Sequence, residues 1–474
     1  MTTAARLLLW ITVAAAAFHA AYAFVNASFL MVVYLFALLR LAQTDRWRMA
    51  FYAGLGVGLL IAAARLTFFW RIFSCGAIAL WLVYAFWLGL FVALARLCLA
   101  RLGPRWGWVM IPFVWTGLEY FRSELYYLRF SWLNVGYAFA GAPWQAALKV
   151  TGTYGAGFLL VSVASAAAWA ASRQAEAPAT TAVSARMQSA VLLILGAGGL
   201  CLGGVLADPG SAPPAGGVRV AGVQMEFPTE TEVLLRLDEL IGEHPETELV
   251  VLSEYTFGGL VPEAVRDWCR ENRRYLIAGG KAPAPGRNFY NTAFVVGPDG
   301  DILFQQVKAV PIQFFKDGLP ASTQELWDSP WGKIGICVCY DLSYTRVTDR
   351  LVRLRARAII VPNMDVARWG EAQHHLHARV APVRAAEYAL PIFRVASSGI
   401  SQWTDRTGRV LATAPFPGDG AILAGTLDLR GPGRLPPDRW LALVAVGVTA
   451  LLMIVLPFRR RGSPPAATQM LSAP

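Results

Sequence analysis

Long apolar segments separated by short charged ones occupy the first 207 residues of the chain. A helix that crosses a bilayer needs about 20 mostly apolar residues. Residues 7–39 contain no Asp, Glu, Lys or Arg and are too many for one crossing, so a turn near Asn26 and Ser28 would divide them into two helices. Further spans are predicted at 49–64, 72–95, 106–118, 150–172 and 187–207, and an eighth at 440–458.

The first of these segments also allows a different interpretation. Arg6, the apolar run after it and the small residues Ala21 and Ala23 resemble a cleaved signal peptide. Further spans follow at once, which favours a helix that stays in the membrane. The pattern therefore predicts a transmembrane domain of seven helices at 1–207, followed by a final helix near the end of the chain.

Residues 218–430 have a different pattern, in which short apolar runs alternate with amphipathic helical ones and charged residues are common. Continuous short apolar runs are typical of strands that are buried on both faces. The segment therefore predicts an α/β domain, joined to the membrane part by a Pro/Gly linker at 208–217. Predicted strands lie at 218–224, 249–254, 275–280, 291–297, 302–307, 333–340, 358–362, 392–397 and 422–428, and predicted helices at 230–242, 262–272, 344–355 and 371–388.

The positions of the arginines predict how the chain is oriented. An even number of spans places both termini on one side, and positive loops mark the cytoplasmic side of a membrane. The 218–430 domain would then lie outside the inner membrane of a bacterium, with a cytoplasmic tail at 459–474. The arginines that support this orientation are Arg40, Arg46, Arg48, Arg96, Arg101, Arg105, Arg173, Arg186, Arg459, Arg460 and Arg461.

Composition agrees with a membrane protein and excludes several other classes. Hydrophobic residues make up 56% of the chain and charged residues 15%, against about 25% charged residues in a typical soluble domain. The net charge of +11 comes from arginines beside apolar runs rather than from a basic stripe, so nucleic-acid binding is not expected. The six cysteines show no zinc-binding spacing, and His374, His375 and His377 are interpreted as a cluster on a helix surface. No metal or cofactor is expected.

Three reactive side chains follow predicted strands. Glu254 comes after the run LVVLS, Lys308 after ILFQQV, and Cys339 after IGICV. At one edge of a sheet the Glu could take the thiol proton, the Cys could attack a carbonyl group and the Lys could stabilise the oxyanion. Spacing alone leaves open that the two charged residues are merely solvated and that the cysteine is a small core residue.

Several separated motifs in the 218–430 region resemble the nitrilase, or carbon–nitrogen hydrolase, superfamily. The resemblance implies an α-β-β-α sandwich and a catalytic triad of Glu254, Lys308 and Cys339. The backbone N–H of Tyr340 would help Lys308 bind the oxyanion. The motifs are VRVAGVQ (218–224), YNTAFVVGPDG (290–300), GICVCYD (335–341) and RAAEYALPIFRVASSGIS (384–401).

A nitrilase-like domain between seven spans and a last one resembles the apolipoprotein N-acyltransferase family. That resemblance implies a phospholipid acyl donor, a thioester on Cys339 and a diacylglyceryl-cysteine lipoprotein as acceptor, with the enzyme expected to be a monomer. The aromatic loop at 119–149, with Trp132 and Trp144, would be a lipid-facing platform or an ordinary interfacial belt. Phe314 and Phe315 would be a lipid-facing wedge on a lid or anchors of their loop.

The chain departs from that family in its loops. The loop VPIQFFKDGLP (310–320) lacks the expected glutamate, for which only Asp317 could substitute, and Asp341 stands where the family has a glutamate. Residues 225–232 lack the expected tryptophan, and SYTR (343–346) is also atypical. These differences leave three alternatives open: a membrane-tethered amidase, an N-acyltransferase for another amine, or an inactive scaffold that binds lipoproteins.

Overall fold

A computed structural model describes residues 2–174 and 217–459 of the chain. The predicted span at 187–207, nearly all of the linker and the tail after residue 459 lie outside the described residues. The first described segment is helical almost throughout. Its helices are α1 (Thr3–Ala23), α2 (Met31–Ala42), α3 (Trp47–Arg65), α4 (Phe68–Phe73), α5 (Gly76–Arg101), α6 (Gly103–Tyr120) and α7 (Leu148–Gln174).

Two six-stranded sheets form the α/β domain, and each has parallel strands at its centre and antiparallel strands outside them. The strand order is β12-β1-β2-β3-β4-β5 in one sheet and β11-β10-β9-β8-β7-β6 in the other. The strands are β1 (Val218–Val223), β2 (Leu249–Val251), β3 (Tyr275–Pro283), β4 (Phe289–Val296), β5 (Ile302–Val307), β6 (Leu326–Ser329), β7 (Gly332–Ile336), β8 (Ala358–Asn363), β9 (Ile392–Ala396), β10 (Ser401–Thr404), β11 (Val410–Ala414) and β12 (Ile422–Leu427).

The helices of this domain cover the outer faces of the sheets. Those of the first sheet, α8 and α9, bury Val233, Leu237, Val265 and Trp268 against the apolar side chains of β1, β2 and β3. On the other sheet, α12 packs against β9 and β10. The result is a nitrilase-like sandwich of two sheets between helices. The helices are α8 (Glu230–Glu243), α9 (Glu263–Asn272), α10 (Thr345–Arg353), α11 (Glu371–Ala378) and α12 (Val380–Tyr388).

Most predicted elements are present, and the differences have local causes. The single helix predicted at 371–388 is two helices, because Pro382 lacks the N–H that a continuous helix would need and instead lies in the first turn of α12. Three short strands were not predicted: β6, β10 and β11. Two of them are edge strands, and β11 has half-exposed and exposed positions in alternation, which weakens the apolar pattern of a strand.

Six described helical segments are long and apolar enough to cross a membrane, and they match six of the eight predicted spans: Thr3–Ala23, Val25–Ala42, Trp47–Arg65, Gly76–Arg101, Gln145–Arg173 and Asp438–Val455. The last is α13. The predicted span at 106–118 is helix α6, which contains Pro112 and is not among the six. It packs between α5, α7 and α13. The count of eight transmembrane helices is therefore not confirmed.

A kink in α7 joins the membrane helices to the α/β domain. Gly152 has a φ of +70°, and a Cβ at this position would collide with the Asp438 carboxylate. Asp438 accepts a hydrogen bond from the backbone N–H of Tyr154 at 2.9 Å, and Glu387 accepts one from that of Thr153 at 3.0 Å. Because these carboxylates cap the freed backbone groups, the helix can bend where the two regions meet.

Candidate active site

Glu254, Lys308 and Asp317 form a buried cluster of charges, which we call the catalytic cluster. Lys308 follows β5 directly and is fully buried. Its Nζ lies 2.8 Å from Glu254 Oε1 and 2.8 Å from Asp317 Oδ2. Glu254 is three residues beyond β2, and Asp317 is in the loop at 310–320. One ammonium group is therefore held between two carboxylates. The second of them, Asp317, comes from the loop in which it was expected to substitute for a missing glutamate.

Asn291 and Tyr255 complete this cluster, and neither was predicted as a site residue. Asn291 Nδ2 donates to Glu254 Oε1 at 2.6 Å and lies 3.0 Å from Asp317 Oδ1. The Tyr255 hydroxyl donates to Asp317 Oδ1 at 2.7 Å, and the backbone N–H of Ile312 donates to Asp317 Oδ2 at 2.7 Å. The YNTA motif could have identified Asn291, which belongs to it. The only sequence feature that pointed to Tyr255 was its position next to Glu254.

Cys339 sits in a sharp turn rather than at the end of a strand. The predicted strand at 333–340 ends at Ile336, and Cys339 begins a 3-10 turn with a φ of +52°. Asp341 shapes the turn by accepting backbone N–H groups from Val338 (3.3 Å), Ala309 (3.0 Å) and Val310 (2.7 Å). It thereby ties the loop that follows Lys308 to the turn that carries the thiol. A left-handed conformation is uncommon for a non-glycine residue and is often found at functional sites.

The thiol and the glutamate are linked through Met364. Cys339 Sγ lies 3.7 Å from the Met364 carbonyl oxygen, and the Met364 N–H donates to Glu254 Oε2 at 3.0 Å. Burial raises the pKa of the Cys339 thiol well above its usual value, with Glu254 adding to the effect. Burial also raises the pKa of Glu254, although Lys308 opposes the shift. The cysteine is therefore a thiol at rest, and the carboxylate beside it is a stronger base than an exposed one.

The pKa values of Lys308 and Asp317 shift in the directions expected of an ion pair. Burial alone would lower the pKa of Lys308, but Asp317 and Glu254 raise it well above its usual value. Burial alone would raise the pKa of Asp317, but Lys308 lowers it. The lysine therefore remains an ammonium group and provides a fixed positive charge beside the thiol, where a developing oxyanion could be stabilised.

Cys339 opens into an apolar cavity that continues between the transmembrane helices. The cavity encloses about 1000 Å³ and is lined by residues of α4 and α5, of the 119–149 loop and of the α/β domain. Trp132, Tyr340, Phe314 and Phe315 all line it. The rings of Phe314 and Phe315 each lie 5.9 Å from that of Phe73 in α4. The loop at 310–320 therefore contacts the membrane helices directly.

A second cavity, of about 1090 Å³, meets the catalytic cluster from the other side. Its lining includes Lys281, Lys316 and Arg368, together with the three charged residues of the cluster. Phe315 and Trp369 line both cavities and pack on each other with their ring centres 6.1 Å apart. The site thus faces an apolar space on one side and a charged space on the other.

Trp144 does not line either cavity: its indole donates to Ser28 Oγ at 2.9 Å within the helical bundle. Trp144 therefore lies away from the cavity that a lipid-facing role would require, because the loop turns its indole toward the turn at Val25–Leu30, just before α2. Trp132 lies in the cavity wall instead. Its Nε1 donates to Ser343 Oγ at 2.9 Å, and its ring stacks on His377 at 4.4 Å.

The histidines do not form a cluster on a helix surface as predicted. Only His375 is exposed. His374 is buried and stacks on Phe416 at 4.0 Å. His377 Nδ1 lies 2.8 Å from Asp365 Oδ1, and Arg394 binds the other oxygen of that carboxylate at 2.5 Å. One face of α11 is exposed at Glu371 and His375, whereas His374 and His377 pack against neighbouring elements, which the polar sequence QHHLH did not reveal.

Comparison with known proteins agrees with this architecture. The family of apolipoprotein N-acyltransferase N-terminal domains matches residues 14–166, and the carbon–nitrogen hydrolase family matches residues 219–432. The fold and the site thus define a carbon–nitrogen hydrolase domain attached to a membrane domain. The apolipoprotein N-acyltransferase of Geobacter metallireducens is 24% identical over 399 residues, covering 74% of both chains. The chain is therefore similar to apolipoprotein N-acyltransferases over about three quarters of its length.

Two further relatives cover smaller shares of the chain. Omega-amidase NIT2-B of Xenopus laevis is 26% identical over 177 residues, which are 33% of this chain and 62% of that protein. A solved structure of the amidase from Nesterenkonia sp. AN1 is 16% identical and covers 46% of this chain and 93% of that one, with a TM-score of 0.40.

Proposed function

We propose that this chain is an N-acyltransferase that moves an acyl chain from a phospholipid, through a thioester on Cys339, to the N-terminal amine of a diacylglyceryl-cysteine lipoprotein. One observation carries the proposal. The thiol lies between a buried base and an apolar cavity that opens among the membrane helices. An amidase for small polar substrates would have no use for such a cavity, whereas an acyl chain would bury its methylenes there.

In the first step Glu254 takes the proton of the Cys339 thiol, and the sulfur attacks the ester carbonyl carbon of the phospholipid. The carbonyl oxygen becomes negative, and the Lys308 ammonium with the Tyr340 backbone N–H stabilises it. The carbon–oxygen ester bond then breaks, and the lysophospholipid leaves as an alcohol that takes the proton from Glu254. The products are a thioester and a lysophospholipid.

In the second step the lipoprotein amine attacks the thioester carbonyl carbon. Glu254 takes a proton from the amine, the carbon–sulfur bond breaks and the thiolate is protonated again. A thioester favours this reaction because the amide formed is more stable. The charged cavity is the proposed path of the polar peptide, since the acyl chain already fills the apolar one. Phe314 and Phe315 would act as a lid between the loop at 310–320 and α4.

We further propose that the catalytic domain (218–430) lies on the extracytoplasmic side of the bacterial inner membrane, with eight transmembrane helices and the chain as a monomer. The support is the distribution of arginines, which by the positive-inside rule favours a cytoplasmic position for both termini. The span at 187–207 and the helix α6 would supply the two crossings beyond the six apolar helices. Cysteine labelling from either side of spheroplasts, at single cysteines introduced into 225–232 and 459–474, tests the orientation.

The decisive experiment is the intact mass of the purified protein after exposure to phospholipid. We expect one added acyl group on the wild-type chain and on Cys337→Ala, and none on Cys339→Ala. The two cysteines are a matched pair, since both are buried and both have a pKa raised by burial, but only Cys339 lines the apolar cavity. An adduct that persists in Cys339→Ala would assign the nucleophile to another residue.

Adding a diacylglyceryl peptide to the acylated protein tests the second step. The adduct should disappear from Cys339 as the peptide gains the same mass at its N-terminal amine. Ammonia released from small amides, with no peptide acylation, would favour the amidase alternative. Binding of the peptide without any adduct would favour the scaffold.

A further inference from the structure

One face of α5 lines the apolar cavity. The lining residues Leu80, Val83, Tyr84 and Trp87 recur at the spacing of one helix face. Because an α-helix rises about 1.5 Å per residue, this stripe extends for about 10 Å along α5. The helix starts just after α4, whose Phe73 contacts the 310–320 loop. Residues with higher numbers on α5 therefore lie progressively deeper, away from Cys339.

The deep end of this stripe is polar. Tyr84, Trp87 and Arg122, which we call the polar floor, line both the apolar cavity and a smaller chamber of about 350 Å³ inside the bundle. The Arg122 guanidinium donates to the Phe130 carbonyl oxygen at 3.1 Å and to Asn134 Oδ1 at 2.6 Å. It also lies 5.0 Å from the centre of the Tyr84 ring. These contacts hold the floor in a fixed position.

The chamber beyond the floor is unsuited to an alkyl chain. Two of its residues carry buried polar atoms that make no hydrogen bond within the part of the chain that the structure describes: Tyr34 Oη and Trp87 Nε1. The buried carboxylate of Glu119 also lines the chamber. Buried polar groups without a partner are costly in an apolar environment. A methylene chain that entered the chamber would satisfy none of these groups.

We propose that the polar floor sets the length of the acyl chain that Cys339 accepts. The inference rests on the proposed function and refines its substrate: a phospholipid whose chain ends at Trp87. A shorter chain leaves part of the stripe on α5 uncovered, and a longer one pushes its last methylenes against the floor. Either chain buries less apolar surface than a chain that fills the cavity, so the chain that fills the cavity is preferred.

The test is a competition between phospholipids that differ only in acyl length by steps of two carbons. Intact mass gives the ratio of the adducts on Cys339. In Trp87→Ala we expect the ratio to move toward the longer chain by roughly tenfold, the factor that burying two more methylenes provides. In Val83→Phe, which shortens the stripe, the ratio should move toward the shorter chain. Trp87→Phe should give a smaller shift than Trp87→Ala.

Leu82→Ala is the matched control, because Leu82 lies on α5 within the length of the stripe but is 44% exposed on the outside of the bundle. Its adduct ratio should equal that of the wild type. Normal adduct formation with an unchanged ratio in Trp87→Ala, Trp87→Phe and Val83→Phe would overturn the length rule and leave the proposed function intact. Absence of any adduct on the wild-type protein, with every lipid of the series, would instead overturn the proposed function and the length rule with it.

Discussion

Two buried ionic clusters in the described part of the chain shift the pKa of a glutamate in opposite directions. In the catalytic cluster, burial raises the pKa of Glu254. In a second cluster, which we call the junction cluster (Asp349, Arg384, Glu387, Asp438 and Arg439), burial would raise the pKa of Glu387, but Arg439 and Arg384 lower it to about 2. One carboxylate is able to take up a proton, and the other is held as a permanent charge.

The number of positive partners explains the difference. Glu254 shares a single ammonium group with Asp317, so two negative charges compete for one positive charge. Glu387 has two guanidinium groups, with Arg384 Nη1 at 2.5 Å and Arg439 Nη1 at 3.0 Å. Arg439 also binds Asp349 at 3.0 Å and Asp438 at 2.7 Å. A planar guanidinium group has five donors in a fixed fork, so Arg439 can bind three carboxylates at once, whereas the Lys308 ammonium binds two.

Location reinforces the contrast. The catalytic cluster borders a cavity through which substrate can reach it. The junction cluster connects α12, α13 and the kink of α7 and is almost completely buried. Buried charge is therefore used for proton transfer in one place and for attachment of the α/β domain to the membrane helices in the other. The comparison gives four predictions.

The largest effect is expected for Glu254→Gln. The amide cannot take the thiol proton, and a general base typically contributes about 10²- to 10⁴-fold to a rate. The rate of Cys339 acylation should therefore fall by about that factor, as measured by intact mass over time. Stability should change much less than in Glu387→Gln. An acylation rate within a factor of about three of the wild type would remove Glu254 from the mechanism.

Glu387→Gln should show the reverse pattern. Removing one partner from a buried ion pair typically costs about 3–5 kcal/mol, because the remaining charge is left without compensation. We expect a loss of that size in chemical unfolding followed by tryptophan fluorescence in detergent micelles, with normal acylation per folded molecule. The matched control is Glu263→Gln, since Glu263 pairs with Arg266 on the surface and is 64% exposed. That change should cost less than about 1 kcal/mol. Equal losses in the two variants would contradict the role of the junction cluster.

Asp317→Asn tests the electrostatic coupling within the catalytic cluster. The Asp317 charge contributes to the raised pKa of Glu254, and acylation requires the Glu254 carboxylate. The rate should therefore rise with pH through the pKa of Glu254, and removing the neighbouring charge should move that rise to lower pH. The plateau rate should drop by about ten- to a hundredfold, because a hydrogen bond to a charged group is lost from Lys308.

A pH–rate profile of the acylation step measures both quantities. Asp328→Asn is a suitable control, because Asp328 is an exposed residue of the edge strand β6. Its profile should match that of the wild type. If the rate of Asp317→Asn rises at the same pH as that of the wild type and only the plateau rate is lower, then Asp317 holds the loop without changing the pKa of Glu254.

Local sequence was sufficient to predict part of the catalytic cluster. Lys308 directly follows a strand whose bounds were predicted correctly, since an apolar run that ends in a charge is a local signal. The turn at Cys339 was not predicted, because the Asp341 carboxylate that ends the strand early acts through backbone groups of a loop about thirty residues away. The roles of Asn291 and Tyr255 likewise depend on contacts between distant segments.

The junction cluster shows the same limit more strongly. Arg384 and Glu387 lie three positions apart on α12, a spacing at which opposite charges can pair, and they do pair. That Arg439 at the start of the last helix joins them could not be deduced, because 52 positions separate it from Glu387. The sequence pattern similarly gave no reason to separate Trp132, in the cavity wall, from Trp144, in the bundle. Which aromatic residue faces substrate is decided by how the 119–149 loop folds.

The smallest effect is expected for Arg439→Lys, which keeps the charge of the junction cluster and changes only its shape. The guanidinium group binds Asp349, Glu387 and Asp438 and donates to the Tyr388 hydroxyl at 2.9 Å. A lysine places its donors at one point and cannot reach all four acceptors, so about one hydrogen bond to a charged group is lost. The expected cost is about 1–2 kcal/mol in the same unfolding assay, with normal acylation of Cys339. If Arg439→Lys lost as much unfolding free energy as Glu387→Gln, the junction cluster would depend on the fork geometry of the guanidinium group rather than on the balance of charge. The two clusters would then differ in the shape of their cations and not in the number of positive charges.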